Sequence, residues 1–152
     1  MKLKVLAAIV ALSSTTAFAC PDLAGTYVCP GESGDVETAV AQVVSNGVTI
    51  YTVTDVEGSY DLIADGATRT QQGQTETGNF ATIDATNTCN GSATLTSVAN
   101  YKEVDGAGKA VASFNMVQVV GRDAATGGLS LNVKYSENGG PEQVGQGVCP
   151  KK

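Results

Sequence analysis

Short runs rich in Val, Thr, Ile and Tyr recur along the chain between clusters of Gly, Asn and Asp, and no stretch of helical length keeps apolar residues at i, i+3 and i+4. That pattern predicts an all-β fold. The runs fall at 25–29, 36–45, 48–56, 59–64, 79–88, 92–103, 109–121, 129–137 and 142–149. Alternation is cleanest in the eighth, where Leu129, Leu131, Val133 and Tyr135 interleave with Ser130, Asn132, Lys134 and Ser136, giving one apolar and one polar face. A second apolar face runs Ala110, Ala112, Phe114, Met116 and Val120, and a third runs Ala93, Leu95, Ala99 and Tyr101. The alanines of 36–45 keep a helix open there, although its β-branched residues and the turn after it favour a strand.

Asn46-Gly47 and Asn90-Gly91 each read as a two-residue hairpin loop, and Asp105-Gly106, Gly127-Gly128 and Asn138-Gly139-Gly140 mark further reversals. Successive strands are therefore expected to be neighbours, in an antiparallel up-and-down meander of 8–10 strands closing into a single barrel, with a β-sandwich as the alternative. The segment 65–78 has almost no apolar residue. It reads as a functional loop or as a polar hairpin, with Thr68, Thr70 and Gln72 opposite Thr75 and Thr77.

The start of the chain changes the picture. Met1-Lys2-Leu3-Lys4, the apolar run Val5 to Leu12, and Ala17-Phe18-Ala19 before Cys20 read as a secretory leader over 1–19, so a single exported domain is expected over 20–152, in the periplasm or outside the cell. No membrane span is expected after leader cleavage. A lipid on Cys20 is the rival reading, weakened by Ala17 where Leu is usual and by the bulky Phe18. Cys20, Cys29, Cys89 and Cys149 all lie in the exported part, and an even number in an oxidising compartment points to two disulfides. Four strands separate Cys89 from Cys149, which places them at one pole; the expected pairs are Cys89 with Cys149 and Cys20 with Cys29.

Without the leader, 7 Lys and Arg stand against 15 Asp and Glu, a formal charge of −8. Nucleic acid is not an expected partner of such a surface, and at this length a monomer can bury its own core. The chain has no histidine, which excludes imidazole acid–base chemistry, Ser-His-Asp systems and histidine metal sites. No catalytic residue, metal site or cofactor is assigned. Asp55, Glu57 and Asp61 around Gly58 read as solvated turn acids, since they miss the calcium-loop spacing. Asn90-Gly91-Ser92 matches a glycosylation triplet by coincidence. The few aromatic residues argue against a transmembrane barrel, which needs two girdles of them.

Ala24-Gly25-Thr26-Tyr27-Val28-Cys29 resembles the Gly-x-Trp start of lipocalin-like barrels, with Tyr27 in place of the Trp; the family's later motifs are absent. The resemblance implies an apolar ligand inside a barrel and binding loops at one mouth. The chain also resembles small exported bacterial proteins that begin Cys-Pro-x-Leu-x-Gly-x-Tyr-x-Cys, from which no activity follows. The leading expectation is a non-catalytic exported β-barrel holding a small apolar or lipid-like ligand among Ile50, Leu95, Tyr101, Phe114, Met116, Leu131, Val133 and Tyr135. The alternative is a secreted or surface protein–protein interaction module, an adhesion component or protease inhibitor acting through 65–78. A carboxylate-dependent hydrolase stands third.

Overall fold

The computed structural model describes residues 19–31 and 34–152, and these form ten strands with no helix among them. The leader expected at the start falls almost wholly outside the described residues. The strands are β1 (Gly25–Gly31), β2 (Gly34–Ser45), β3 (Val48–Thr54), β4 (Ser59–Ala64), β5 (Thr68–Gln74), β6 (Phe80–Asn90), β7 (Thr94–Val104), β8 (Ala110–Arg122), β9 (Leu129–Glu137) and β10 (Gln143–Cys149). Residues 36–45 are thus strand, not helix.

All pairings are antiparallel, but the meander breaks once. β1 to β4 form a four-stranded sheet and β5 to β10 a six-stranded one, each in sequence order. The single closed barrel expected from neighbouring strands is therefore not the hydrogen-bonding pattern found. At the break, Asp65 accepts from the Ala67 amide at 2.9 Å and from both terminal nitrogens of Arg69 at 2.9 and 2.7 Å, which fixes a bend between β4 and β5. There the Gly66 amide reaches across, donating to the Asn87 carbonyl at 3.0 Å. The opposite side is better joined. The Val28 amide donates to the Pro150 carbonyl at 3.0 Å and the Lys152 amide to the Thr26 carbonyl at 2.9 Å, so the C-terminal residues run alongside β1.

The β2–β3 hairpin turns on Asn46 and Gly47 with φ of 50° and 79°, the paired left-handed conformation that suits the twist of a two-residue loop. The second Asn-Gly loop is longer than expected. Asn90 pairs with Thr94, leaving Gly91 to Ala93 as three loop residues, of which Gly91 takes the left-handed φ of 56°.

The two sheets share one core made of Leu23, Tyr27, Tyr51, Leu95, Val120, Leu129 and Cys149. On the six-stranded sheet these residues cluster at the end of β8 and β10 and the start of β7 and β9, with Cys89 at the end of β6 packed against them, a single pole. β6, β7 and β8 run 11, 11 and 13 residues, while β3 and β4 run 7 and 6, so the larger sheet extends beyond the smaller one's cover. Ile83, on the core-facing side toward the far end of β6, is 38% exposed as a result.

The disulfides join Cys20 to Cys89 and Cys29 to Cys149. The expected pairs are corrected. Cys89 and Cys149 do lie at the same pole, but each receives a partner from the N-terminal segment, because that segment passes between the sheets instead of folding back on β1. The bridged residues lie 69 and 120 positions apart, separations at which chain-entropy arguments give about 4 to 5 kcal/mol per bridge. Trypsin distinguishes these pairs from the expected ones, since Cys20 and Cys29 both fall in the peptide ending at Arg69, Cys89 in 70–102 and Cys149 in 135–151. Non-reducing digestion is expected to yield all three peptides as one linked species. A free peptide ending at Arg69 would overturn the connectivity.

Candidate functional site

Cross-strand partners share a face, and the registers of β6 to β9 therefore define rows across the large sheet. From the disulfide pole outward these are Cys89–Leu95–Val120–Leu131, Asn87–Ser97–Gln118–Val133, Ala85–Ala99–Met116–Tyr135 and Ile83–Tyr101–Phe114–Glu137. All four rows lie on the core-facing side.

Over the first two rows the small sheet covers this face and leaves a cavity of about 190 Å³. Leu95, Val120 and Leu131 line it from one side, Val40, Tyr51, Val53 and Leu62 from the other, and Leu23 from the N-terminal segment. Gln118 brings an amide to its wall. Asp55 and Tyr60 also line it, and Tyr60 is 52% exposed, which marks the β3–β4 end as its rim. Further along the same face, past the cover of the small sheet, an open groove of about 410 Å³ is lined by Ile83, Ala99, Tyr101, Ala112 and Phe114.

The expected ligand-contacting residues separate accordingly. Leu95 and Leu131 line the cavity, Tyr101 and Phe114 line the open groove, and Met116, Val133 and Tyr135 stand in the rows between. The Phe114 and Tyr135 rings pack at 6.0 Å between centroids. Ile50 lies elsewhere. In β3 the buried residues are Thr49, Tyr51 and Val53, so Ile50 points to the opposite face, paired with Val43, which is 57% exposed. The local run Val-Thr-Ile-Tyr-Thr-Val-Thr has apolar residues on both sides, and the pull of the Tyr51 hydroxyl toward a backbone carbonyl decides which side faces in.

That carbonyl belongs to the segment closing the pole. The Tyr51 hydroxyl donates to the Pro21 carbonyl at 2.7 Å, and the Tyr27 hydroxyl donates to those of Leu23 at 2.8 Å and Ala24 at 3.2 Å. Arg122 donates from Nε to the Asp22 carbonyl at 2.6 Å and from its terminal nitrogens to Ala24 and Gly127 at 3.1 and 3.0 Å, with its guanidinium 5.8 Å from the Tyr27 ring centre. The Leu23 amide donates to Gln42 at 3.0 Å. At Gly25, where the segment enters β1 with φ of 155°, a Cβ would lie 2.9 Å from the Tyr27 hydroxyl oxygen, so this close approach needs glycine. The sequence marks Tyr51 only as one of several tyrosines able to pack in a core or line a pocket, and Arg122 not at all. The one available signal was Arg122 at an inward position two residues after Val120.

Electrostatics at the rim is acidic. Burial pushes the Tyr60 phenol upward, and nearby Asp55 and Glu57 push it further. One oxygen of Asp55 accepts from the amides of Glu57 and Gly58 at 2.8 and 3.3 Å, and Asp61 accepts from Thr52 at 2.7 Å. These carboxylates brace the hairpin. Among the described residues, no three groups of metal-ligating type gather closely enough to hold an ion. Beside the groove-lining Tyr101, hydrogen bonds from Asn79 and then Tyr101, both at 2.7 Å, hold Glu103 below the usual carboxylate range. Residues 68–74 of the polar segment form the edge strand β5, paired with β6 and not with Thr75 and Thr77 as a hairpin of its own. Thr68 and Thr86 share a hydrogen bond at 2.8 Å across that pairing.

Compared with family models, curated proteins and solved structures, the chain matches none of them. Geometry alone carries the functional reading. No helix among the described residues is long and apolar enough to cross a membrane.

Burial drives the Tyr51 phenol up to about 12, with the Asp22 charge adding to the shift. The neutral phenol is therefore favoured in the folded state, and the linked stability is present below an unfolded value of about 10 and lost as pH rises through about 12. Tyr51→Phe is expected to cost about 1 to 2 kcal/mol at neutral pH by orphaning the Pro21 carbonyl. It is also expected to flatten the alkaline loss of stability, as read by urea unfolding between about pH 9 and pH 12. An unchanged alkaline slope would contradict the assignment.

Proposed function

We propose that the protein is a non-catalytic, exported β-protein that holds a small apolar molecule in the cavity between its sheets. The carrying observation is that cavity: about 190 Å³, walled mainly by apolar side chains from both sheets, with Thr38, Asp55 and Gln118 also in its lining, and closed at one end by Leu23. An apolar cavity of roughly 150 Å³ accommodates benzene, so the space suits a single ring or a short alkyl chain, not a whole lipid. Leaving it empty forfeits on the order of a few kcal/mol of packing, which an occupant returns.

We read the two sheets as facing layers of one sandwich-like domain, joined along one side by β1 and residues 150–152. This domain acts as a monomer without cofactor. Two disulfides are consistent with an extracellular or periplasmic protein. The Cys20 sulfur bonded to Cys89 is not free to carry a thioether, which supports export without lipidation. The interaction-module alternative draws less support, because β5 presents threonine and glutamine hydrogen-bonded along an edge and no apolar anchor.

Benzene is expected to raise the thermal unfolding midpoint in a concentration-dependent manner, and Leu131→Phe, which fills the cavity from β9, is expected to abolish that rise while keeping the fold. Absence of any rise with the native protein would remove the carrier reading.

A further inference from the structure

Past the cover of the small sheet, two aromatic rings and a carboxylate stand side by side: Tyr101, Phe114 and Glu137 are successive cross-strand partners on β7, β8 and β9, and all three line the open groove. Ala99 precedes Tyr101 by two residues and Ala112 precedes Phe114 by two, so each ring has a small neighbour on its own face. Those alanines leave the depression, and Ile83, the β6 partner of Tyr101, bounds it. At its β9 end Asn138 Oδ1 accepts from the Ser113 amide at 2.9 Å, which fixes the last two lining residues.

The charge lining this groove is of one sign. Glu137 is exposed and enters none of the ion pairs among the described residues. Glu103, two residues beyond Tyr101 on the same face, accepts from the Tyr101 hydroxyl at 2.7 Å, and an ionised acceptor there makes the phenol ring richer in electrons. None of the lining residues is basic. Lys102 and Lys134 alternate with Tyr101 and Tyr135 and so belong to the opposite face, where Lys134 pairs with Glu142. Arg69 is held by Asp65, and Arg122, at the disulfide pole, by the carbonyls of Asp22, Ala24 and Gly127. Lys109 shares the β7–β8 turn with Asp105, so that turn adds no net charge.

We propose that the groove is a second binding site, separate from the cavity between the sheets, for a small organic cation: a substituted ammonium group on a compact apolar body. Aromatic rings attract such a head through their electron-rich faces, and Tyr101 and Phe114 supply two of them, with Glu137 as the counter-charge. The apolar body covers Ile83, Ala99 and Ala112. A volume of about 410 Å³ lies in the range of small-molecule pockets. An anion would meet Glu137 with no base in the lining, and a second copy of this acidic chain would bring carboxylate against carboxylate. The site does not depend on the carrier reading.

NMR titration of the intact oxidised protein at pH 7 and fixed ionic strength tests the site with benzyltrimethylammonium, choline and 3,3-dimethylbutan-1-ol. The last two share a shape and differ by one charge. Benzyltrimethylammonium is expected to shift the amides of Tyr101, Phe114 and Glu137 and to leave those of Leu95 and Leu131 in place. Choline is expected to bind about threefold or more tightly than the alcohol. Phe114→Leu, which keeps every charge, and Glu137→Gln, at an exposed and unpaired side chain, are each expected to weaken benzyltrimethylammonium about threefold. Asp35→Asn, which removes the same charge from the small sheet, is expected to leave its binding unchanged. The alcohol binding as tightly as choline overturns the cationic class. Equal weakening by Asp35→Asn and Glu137→Gln reveals diffuse attraction to an acidic surface and overturns the site, as does the absence of any groove shift up to about 50 mM. Neither result bears on the cavity, whose benzene test stands apart.

Discussion

Four consecutive backbone carbonyls, those of Pro21, Asp22, Leu23 and Ala24, lie at the end of the space between two sheets, and those of Pro21 and Leu23 are buried where water does not replace lost hydrogen bonds. Each is met by a side chain from the strands around it: Tyr51 from β3, Arg122 from β8 and Tyr27 from β1. Buried backbone acceptors must be paired, so the Tyr51 and Tyr27 contacts to Pro21 and Leu23 are obligatory. They also tie β3 of one sheet and β8 of the other to the same short piece of chain. Cys20 anchors that piece to β6, and Cys29, just beyond it, is anchored to β10.

Such a closure explains why so few fully buried side chains suffice. The core is concentrated at the disulfide pole, and away from it the large sheet is covered only in part. A domain of this size normally relies on burial throughout. Here cross-links and a polar clamp hold one end rigid, and the space just inside that end stays open as the cavity. The same arrangement that stabilises the fold thus shapes the site.

Much of the fold was legible from alternation and turn chemistry. Strand positions other than β5, which is polar throughout, follow the apolar runs closely, and the seven expected ligand-facing residues on the large sheet do share one side, since Leu131, Val133 and Tyr135 alternate with strictly polar neighbours. Ile50 was not legible, because both faces of β3 carry apolar groups and only a distant carbonyl selects between them. The break after β4 was hidden for a related reason. Adjacent strands usually pair, and the Asp65–Arg69 contact that bends the chain away is a side-chain event with no periodic signature. Disulfide pairing failed at the same level: strand parity placed Cys89 and Cys149 together, but the course of Cys20–Ala24 between the sheets is a tertiary fact.

The central claim is that Cys20–Ala24 is part of the cooperative core and not a strap laid over it. Native-state hydrogen exchange of the oxidised protein tests this most directly, by comparing the Leu23 amide, held by Gln42, with amides of β3 and β8. The account predicts that Leu23 exchanges only through global unfolding, with the same free energy as Tyr51 and Val120. Exchange of Leu23 about a hundredfold faster, while both strands remain protected, would contradict it.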